Sequence, residues 1–320
     1  MTFLEKLLRN EISKPAMELR ELKSFVAAVD CGLNVSQAAE RLHLVQSAVS
    51  QHLARLEAEL GTRLFVRQGK RLAALTPAGA RVLDYARRVL AIREDILTVG
   101  RDHVDEATGV LRIGTTHTQA RYVLPPVIRA FRHTYPHVAL QIHQGTPPQL
   151  ADLAAADTVD FAICTEALAA HPALTTLPCY RWNRSLITPL GHPILERHPL
   201  SLELICEYPL ITYVFGFTGS SRLRSTFARM ALEPDVVLSA ADTDVIKTYV
   251  REGLGVGLIA TVAYSARTDT DLAVRDLSHL FPWETTFIAY RRDKYLRRFQ
   301  QHFIELLQRM VQSQGVVSGE

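Results

Sequence analysis

Apolar residues return every three or four positions from Leu19 to Val29, so that Leu19, Leu22, Phe25, Val26 and Val29 share one helical face, and Gly32 closes the segment. From Ser36 the same period appears twice in quick succession. Ala38, Ala39 and Leu42 form a small apolar face, the chain breaks at 42–44, and Val49, Leu53, Leu56 and Leu60 then repeat along one stripe up to Gly61, which fits a left-handed helix cap. The other face of that second helix carries Gln46, Ser47, Ser50, Gln51 and Arg55, groups that can reach base edges or phosphates. A short helix of small residues bracing a helix with a polar N-terminal half predicts a helix-turn-helix at about 35–54; the plain alternative is an ordinary helical hairpin.

Two short apolar runs, 64–66 and 72–75, flank a basic glycine turn and predict a β-hairpin wing that would bring Arg67, Lys70 and Arg71 beside a DNA backbone, unless it is simply a solvated turn. Thr76-Pro77 then reads as an N-cap and first helical turn. The helix it opens runs towards His103, with Val82, Ala86, Val89, Ile96 and Val99 near one face. A stripe on so long a helix needs a partner, and pairing with a second copy fits best.

Beyond residue 107 the period changes. Strand-like segments at 110–114, 138–142 and 160–164 alternate with helical ones at 118–133 and 147–156; a second set at 209–213, 236–240 and 255–260 alternates with helices at 219–231 and 243–252. Strand 285–290 and a helix at 294–311 follow. This rhythm predicts parallel sheet covered by helices, in two subdomains with a ligand cleft between them. The expected organisation is therefore a 1–16 extension, poorly attached because Pro15 breaks the helical pattern, a winged helix-turn-helix at 17–75, a linker helix at 76–106, an effector-binding region at 107–312 and a frayed tail at 313–320.

Composition narrows the class. Apolar residues make up 48% and charged residues 22%, as in proteins with sizeable cores, while the net charge is only +3. Basic character is instead local: between Arg63 and Arg93 eight Lys and Arg residues face one acidic residue, Asp84. Cys31, Cys164, Cys179 and Cys206 have neither disulfide-framework nor zinc spacing, the N-terminus does not read as a signal peptide, and no apolar run would span a membrane; a cytoplasmic protein is expected.

Candidate chemistry concentrates in one loop. Thr115, Thr116, His117, Thr118 and Gln119 lie between a strand and a helix, where free N–H groups and hydroxyls suit an anion, with no Lys or Arg in the loop itself. Thr165 ends another strand and Thr218 opens another helix. Helix capping alone is the competing explanation for each. His117 has no neighbouring ligand residues in sequence, so no metal is expected. The glycines at 253, 255 and 257 follow a helix and precede a strand, the wrong order for a dinucleotide fingerprint. No catalytic constellation is evident, which argues against an enzyme. A ligand-controlled DNA-binding regulator accounts for every segment, whereas a solute-binding protein would account for 107–290 alone.

The order of parts from Met17 onwards resembles the LysR-type transcriptional regulators. The segments TTHTQARYVLPPV (115–127), HQGTP (143–147), FAICTEAL (161–168), LPCYRWNRS (177–185), YVFGFTG (213–219) and DTDVIKTYVR (242–251) are similar to their CysB and Cbl branch, the activators of sulfur-assimilation genes. That resemblance implies an N-terminal all-α winged helix-turn-helix with a long linker helix, then an α/β effector domain of periplasmic-binding-protein type in two subdomains. It further implies a homotetramer built as a dimer of dimers, a double-stranded DNA operator and RNA polymerase as partners, no membrane association and no cofactor. The effector it implies is sulfate, O-acetylserine or N-acetylserine. The family's anion-binding hydroxyls match Thr116, Thr118, Gln119, Thr165 and Thr218. At the recognition helix the usual T-S-Q-P is replaced by Leu44-Val45-Gln46-Ser47, which alters the expected base contacts.

Overall fold

The structure, a computed structural model, describes residues 17–69, 71–102, 107–214 and 220–313. The expectations made for residues 1–16, Lys70, 103–106, Thr218 and 314–320 lie outside the described residues. The chain divides into two compact units, with the boundary between Gly100 and Arg101.

In the first unit the periodic segments become α1 (Leu19–Asp30), α2 (Val35–Arg41) and α3 (Gln46–Leu60). Asn34 caps α2 by accepting from the N–H groups of Ser36 and Gln37, each at 3.1 Å. Val45 stands at the N-cap of α3 and has no side-chain acceptor to offer its first turn. At the other end Gly61 takes φ 62°, and Thr62 N–H returns to the Glu57 carbonyl at 3.2 Å. The apolar stripes meet in a core of Phe25, Ala28, Val49, Leu53, Leu56 and Phe65, with the Phe25 and Phe65 rings edge to face at 5.4 Å. The expected wing is present as an antiparallel hairpin of β1 (Phe65–Gln68) and β2 (Arg71–Leu75).

Thr76 opens α4 (Pro77–Asp102), accepting from Gly79 N–H at 2.9 Å while its own hydroxyl donates to the Arg63 carbonyl at 2.8 Å. Gly79 is required there, because a Cβ would sit 2.1 Å from the Leu64 carbonyl oxygen. The helix divides its apolar positions. Leu83 and Ala86 are buried in the core of the first unit, but Tyr85, Val89, Ile92, Ile96 and Val99 remain exposed. Those five follow alternating steps of four and three, the spacing of a coiled-coil seam.

The second unit contains two five-stranded sheets. The first has the order β4-β3-β5-β12-β6, built from β3 (Gly109–Thr115), β4 (Val138–Gln144), β5 (Phe161–Cys164), β6 (Leu174–Trp182) and β12 (Glu284–Arg291). Its helices are α5 (Leu124–Thr134), α6 (Pro147–Ala155) and α10 (Arg298–Ser313). A core of Leu111, Ile113, Phe131, Phe161, Ile288 and Phe303 joins α5 and α10 to the sheet. The second sheet has the order β11-β7-β10-β8-β9, from β7 (Arg184–Pro189), β8 (Leu210–Tyr213), β9 (Val236–Ala240), β10 (Val256–Ala260) and β11 (Leu272–Asp276). The helices α7 (Leu202–Ile205), α8 (Ser220–Arg229) and α9 (Thr243–Arg251) belong to this half. The two-subdomain expectation thus holds, but the sheets are mixed rather than parallel. β12 runs antiparallel to β5 and β6, and β7 runs antiparallel to β10 and β11. The cause is topological: the chain crosses between subdomains at Asn183 and again at 277–283. Asn183 pins both crossings, donating to the Phe281 carbonyl at 3.0 Å and accepting Thr261 N–H on its own carbonyl at 2.9 Å.

Candidate DNA-reading face and effector cleft

On α3 the positions not taken by the buried stripe are outward. Gln46, Ser47, Ser50, Gln51 and Arg55 are all exposed, forming one continuous polar surface of hydrogen-bonding groups. His52 is instead turned inward, sharing a 2.7 Å hydrogen bond with the buried Ser24 hydroxyl. The wing is held to the same helix by Glu57. One carboxylate oxygen accepts from Leu64 N–H at 2.8 Å and Phe65 N–H at 3.2 Å, and the other pairs with Arg67 at 3.0 Å. Arg67 is therefore partly committed within the protein, while Arg71 is exposed. Arg87 is likewise paired, with Asp30 at 2.8 Å, so part of the positive field read from the sequence is compensated in the fold.

The effector candidates occupy the ends of two adjacent parallel strands, β3 and β5. Thr115 belongs to the sheet, its buried hydroxyl donating to the Ile163 carbonyl at 2.8 Å. Thr116, Thr118 and Gln119 follow it and are all buried. The chain from Gln119 to Val123 is π-wound before it settles into α5, a departure that occurs often at functional sites. The Thr118 hydroxyl is enclosed and has no hydrogen-bond partner among the described residues. The Tyr213 phenol, held by Thr243 Oγ1 at 2.6 Å and Ala260 N–H at 3.1 Å, is the nearest polar group of the opposing subdomain to interact with it. Gln119 Oε1 accepts from the buried Tyr180 phenol, which leaves the amide N–H groups of Gln119 as donors for a ligand.

Thr165 is joined to this group through its neighbours. Its hydroxyl oxygen accepts from Trp182 Nε1 at 3.2 Å and shares a 3.2 Å hydrogen bond with Thr286, which in turn bonds Tyr180. Burial pushes the Tyr180 phenol above its ordinary range, so it stays protonated and acts as a donor. The structure thus places Thr116, Thr118, Gln119 and Thr165 in one neighbourhood and adds Trp182, Tyr180 and Thr286, which no spacing in the sequence signals.

Beneath Trp182 lies the buried Arg184 guanidinium, 5.2 Å from the indole ring centre and 3.6 Å from the buried Glu284. The more exposed Arg222 reaches the other Glu284 oxygen at 3.2 Å. Burial draws the Arg184 pKa down and Glu284 opposes that; burial likewise raises Glu284, with Arg184 and Arg222 opposing. A cavity of about 580 Å³ lies beside α8, lined by Leu223, Phe227, Leu232 and Val236 with Arg224 and Glu233, and by Tyr213. Among the described residues no group of His, Cys, Asp and Glu is placed to hold a metal, and no helix is long and apolar enough to cross a membrane.

Both halves have recognised counterparts. Residues 19–80 match the model of bacterial regulatory helix-turn-helix proteins of the lysR family, and residues 105–312 match the LysR substrate binding domain. The chain belongs to the LysR family of transcriptional regulators. A LysR protein carrying both domains is a DNA-binding regulator and not an enzyme, and residues 19–80 overturn the alternative of a solute-binding protein alone. The transcriptional regulator CysB of Haemophilus influenzae is 44% identical over 289 residues, covering 90% of this chain and 89% of its own. SsuR of Burkholderia cenocepacia is 42% identical over 290 residues, covering 91% and 94%. Among solved structures, the cofactor-binding domain of the Cbl transcriptional regulator superposes with a TM-score of 0.62 at 42% identity, covering 67% of this chain and 96% of that domain. The chain is thus a LysR-type regulator related to the CysB, Cbl and SsuR sulfur regulators.

Proposed function

We propose that this LysR regulator controls genes of sulfur assimilation in response to a small oxyanion, sulfate or an acetylated serine, bound between the effector subdomains at Thr116, Thr118, Gln119, Thr165 and Thr218. The observation that carries the reading is the buried turn of Thr116, Thr118 and Gln119 at the strand ends, where the enclosed Thr118 hydroxyl makes no close hydrogen bond within the described residues. Burying a hydroxyl unpaired costs free energy, so a ligand that supplies an acceptor there recovers that cost on binding. The similarity to CysB, Cbl and SsuR supports the sulfur-linked identity of that ligand. The exposed face of α3 reads a double-stranded operator through Gln46, Ser47, Ser50 and Gln51, with Arg55, Lys70 and Arg71 on phosphates and Arg67 contributing less. The seam from Tyr85 to Val99 pairs two copies, and four copies with RNA polymerase make the working complex.

Calorimetric titration of the full chain with sulfate tests the site. Thr118→Val keeps the shape and deletes the donor, and a hydrogen bond to an ion is worth about 1.5–3 kcal/mol, so affinity falls about ten- to a hundred-fold. Operator affinity without ligand stays as it was, while the ligand's effect on it shrinks because the two are reciprocally linked. Equal sulfate affinity in the two proteins would leave Thr118 a helix-end residue and remove the basis for the site.

A further inference from the structure

The turn that presents Thr116, Thr118 and Gln119 carries His117, Arg121 and Tyr122 between and beyond them, and these three side chains reach across to the other subdomain. The Tyr122 ring packs against a cluster that includes Ile187, Ile211, Tyr213, Ile246 and Val250, all from the β7–β11 half. Its phenol donates to Asp244 Oδ1 at 2.6 Å. The other Asp244 oxygen lies 3.6 Å from His117 Nε2 and 3.4 Å from Arg121 Nε.

Asp244 stands in the first turn of α9, a helix capped by Asp242, which accepts from Val245 N–H at 2.9 Å. One turn further on, Lys247 places its ammonium 4.8 Å from the centre of the Tyr122 ring, within cation–π range. Lys247 is itself fixed by a 2.7 Å bond to the buried Asp269, which Arg251 also holds at 3.1 Å. The socket is therefore braced before Tyr122 enters it. Isolated ion pairs at an Asp244 side chain that is 45% exposed would contribute little. An aromatic ring from one subdomain packed against the core of the other, with its hydroxyl hydrogen-bonded to that carboxylate, is a different matter.

We propose that Tyr122 and Asp244 form a latch across the cleft, and that Asp244 is a positioning residue of the effector site. It grips, from the opposite subdomain, the turn that carries the anion-binding hydroxyls. The latch sets how often the cleft is closed, and closure is what brings those hydroxyls out of water around the ligand. The effect on affinity rests on the effector site proposed above; the latch itself does not.

The test uses the full chain with Tyr122→Phe, Asp244→Ala, the double variant and Asp244→Glu. Hydrogen exchange without ligand reads the latch alone. Losing one hydrogen bond to a half-exposed carboxylate is expected to speed exchange about three- to tenfold in 117–123 and in 243–248 together, with β12 unchanged. Titration with sulfate then shows a similar loss of affinity in each single variant, no further loss in the double variant, and partial recovery in Asp244→Glu. Exchange that rises in one segment only, or in neither, overturns the latch. Unchanged sulfate affinity in the single variants, or additive losses in the double, overturns the positioning role. A parent protein that takes up no sulfate overturns the proposed effector, and the exchange result still decides the latch.

Discussion

Replacing Glu57 with Ala removes the side chain through which the recognition helix holds its wing. Two backbone N–H groups, Leu64 and Phe65, lose their acceptor, and Arg67 loses its partner. A hydrogen bond to a charged acceptor is worth about 1.5–3 kcal/mol, but the two share one oxygen and the site is not fully enclosed, so together they contribute about 2–4 kcal/mol. The Arg67 pair, with 35% of that side chain exposed, adds little. In a unit of this size each kcal/mol moves the melting midpoint by about 4–8 °C, so scanning calorimetry of the full chain should find the transition of the DNA-binding unit lowered by about 10–25 °C. Glu57→Gln keeps one acceptor oxygen and should fall about half as far. Phe65, whose ring meets Phe25 edge to face in the core, should loosen with β1, and operator binding should weaken in step with stability. A shift of less than about 2 °C in Glu57→Ala, or equal shifts for Gln and Ala, would refute the anchoring role.

Three further outcomes follow from the geometry. Val45→Ser supplies the acceptor that the first turn of α3 lacks and should stabilise the DNA-binding unit by about 0.5–2 kcal/mol, read as a higher melting midpoint; no change would mean that turn is satisfied some other way. Arg71→Ala should flatten the dependence of operator affinity on salt by about 0.9 in log–log slope, and Arg67→Ala by less because Glu57 already holds it; equal slopes would place both on phosphates. For Asp269, burial alone would raise the pKa, yet Lys247, Ser265 N–H and Arg251 outweigh it and hold the carboxyl below its ordinary value. Its stabilising contribution is therefore present above the unfolded carboxylate value of about 3.9 and lost as pH falls through the folded one, so Asp269→Asn should flatten the acid side of the stability profile.

The DNA-binding unit was legible because its signals are local. The stripe Val49, Leu53, Leu56, Leu60 needs only its own helix to be read, and Thr76-Pro77 and Gly61 mark ends by backbone chemistry that any context preserves. The strands β6, β7 and β11 escaped for the opposite reason. In β6 Pro178 and Arg181 interrupt an apolar pattern, and Arg184 opens β7 as a buried cation, acceptable only because Glu284 arrives from a segment one hundred residues away. The antiparallel runs that those strands create follow from the two crossings, which no periodicity records. In the cleft, the threonines were visible at strand-to-helix turns, but Trp182, Tyr180 and Thr286 join them through β6 and β12, and that neighbourhood exists only once the sheet is assembled.

A site of neutral donors has a physical consequence that a site of lysines would not. Hydroxyls and amides exposed to water gain almost nothing by turning to an anion, since water offers equivalent bonds; the advantage appears only where water is excluded and the local dielectric is low. Thr118 and Gln119 are buried to 2% and 3% exposure, so the enclosure they need is already part of the folded unit. That enclosure depends on the opposing subdomain, whose Tyr213 stands near Thr118 and whose Asp244 holds Tyr122. In the proposed effector site, binding strength at Thr118 and closure at Tyr122 are then two readings of one equilibrium, since removing either the donor or the latch leaves an anion to compete with water.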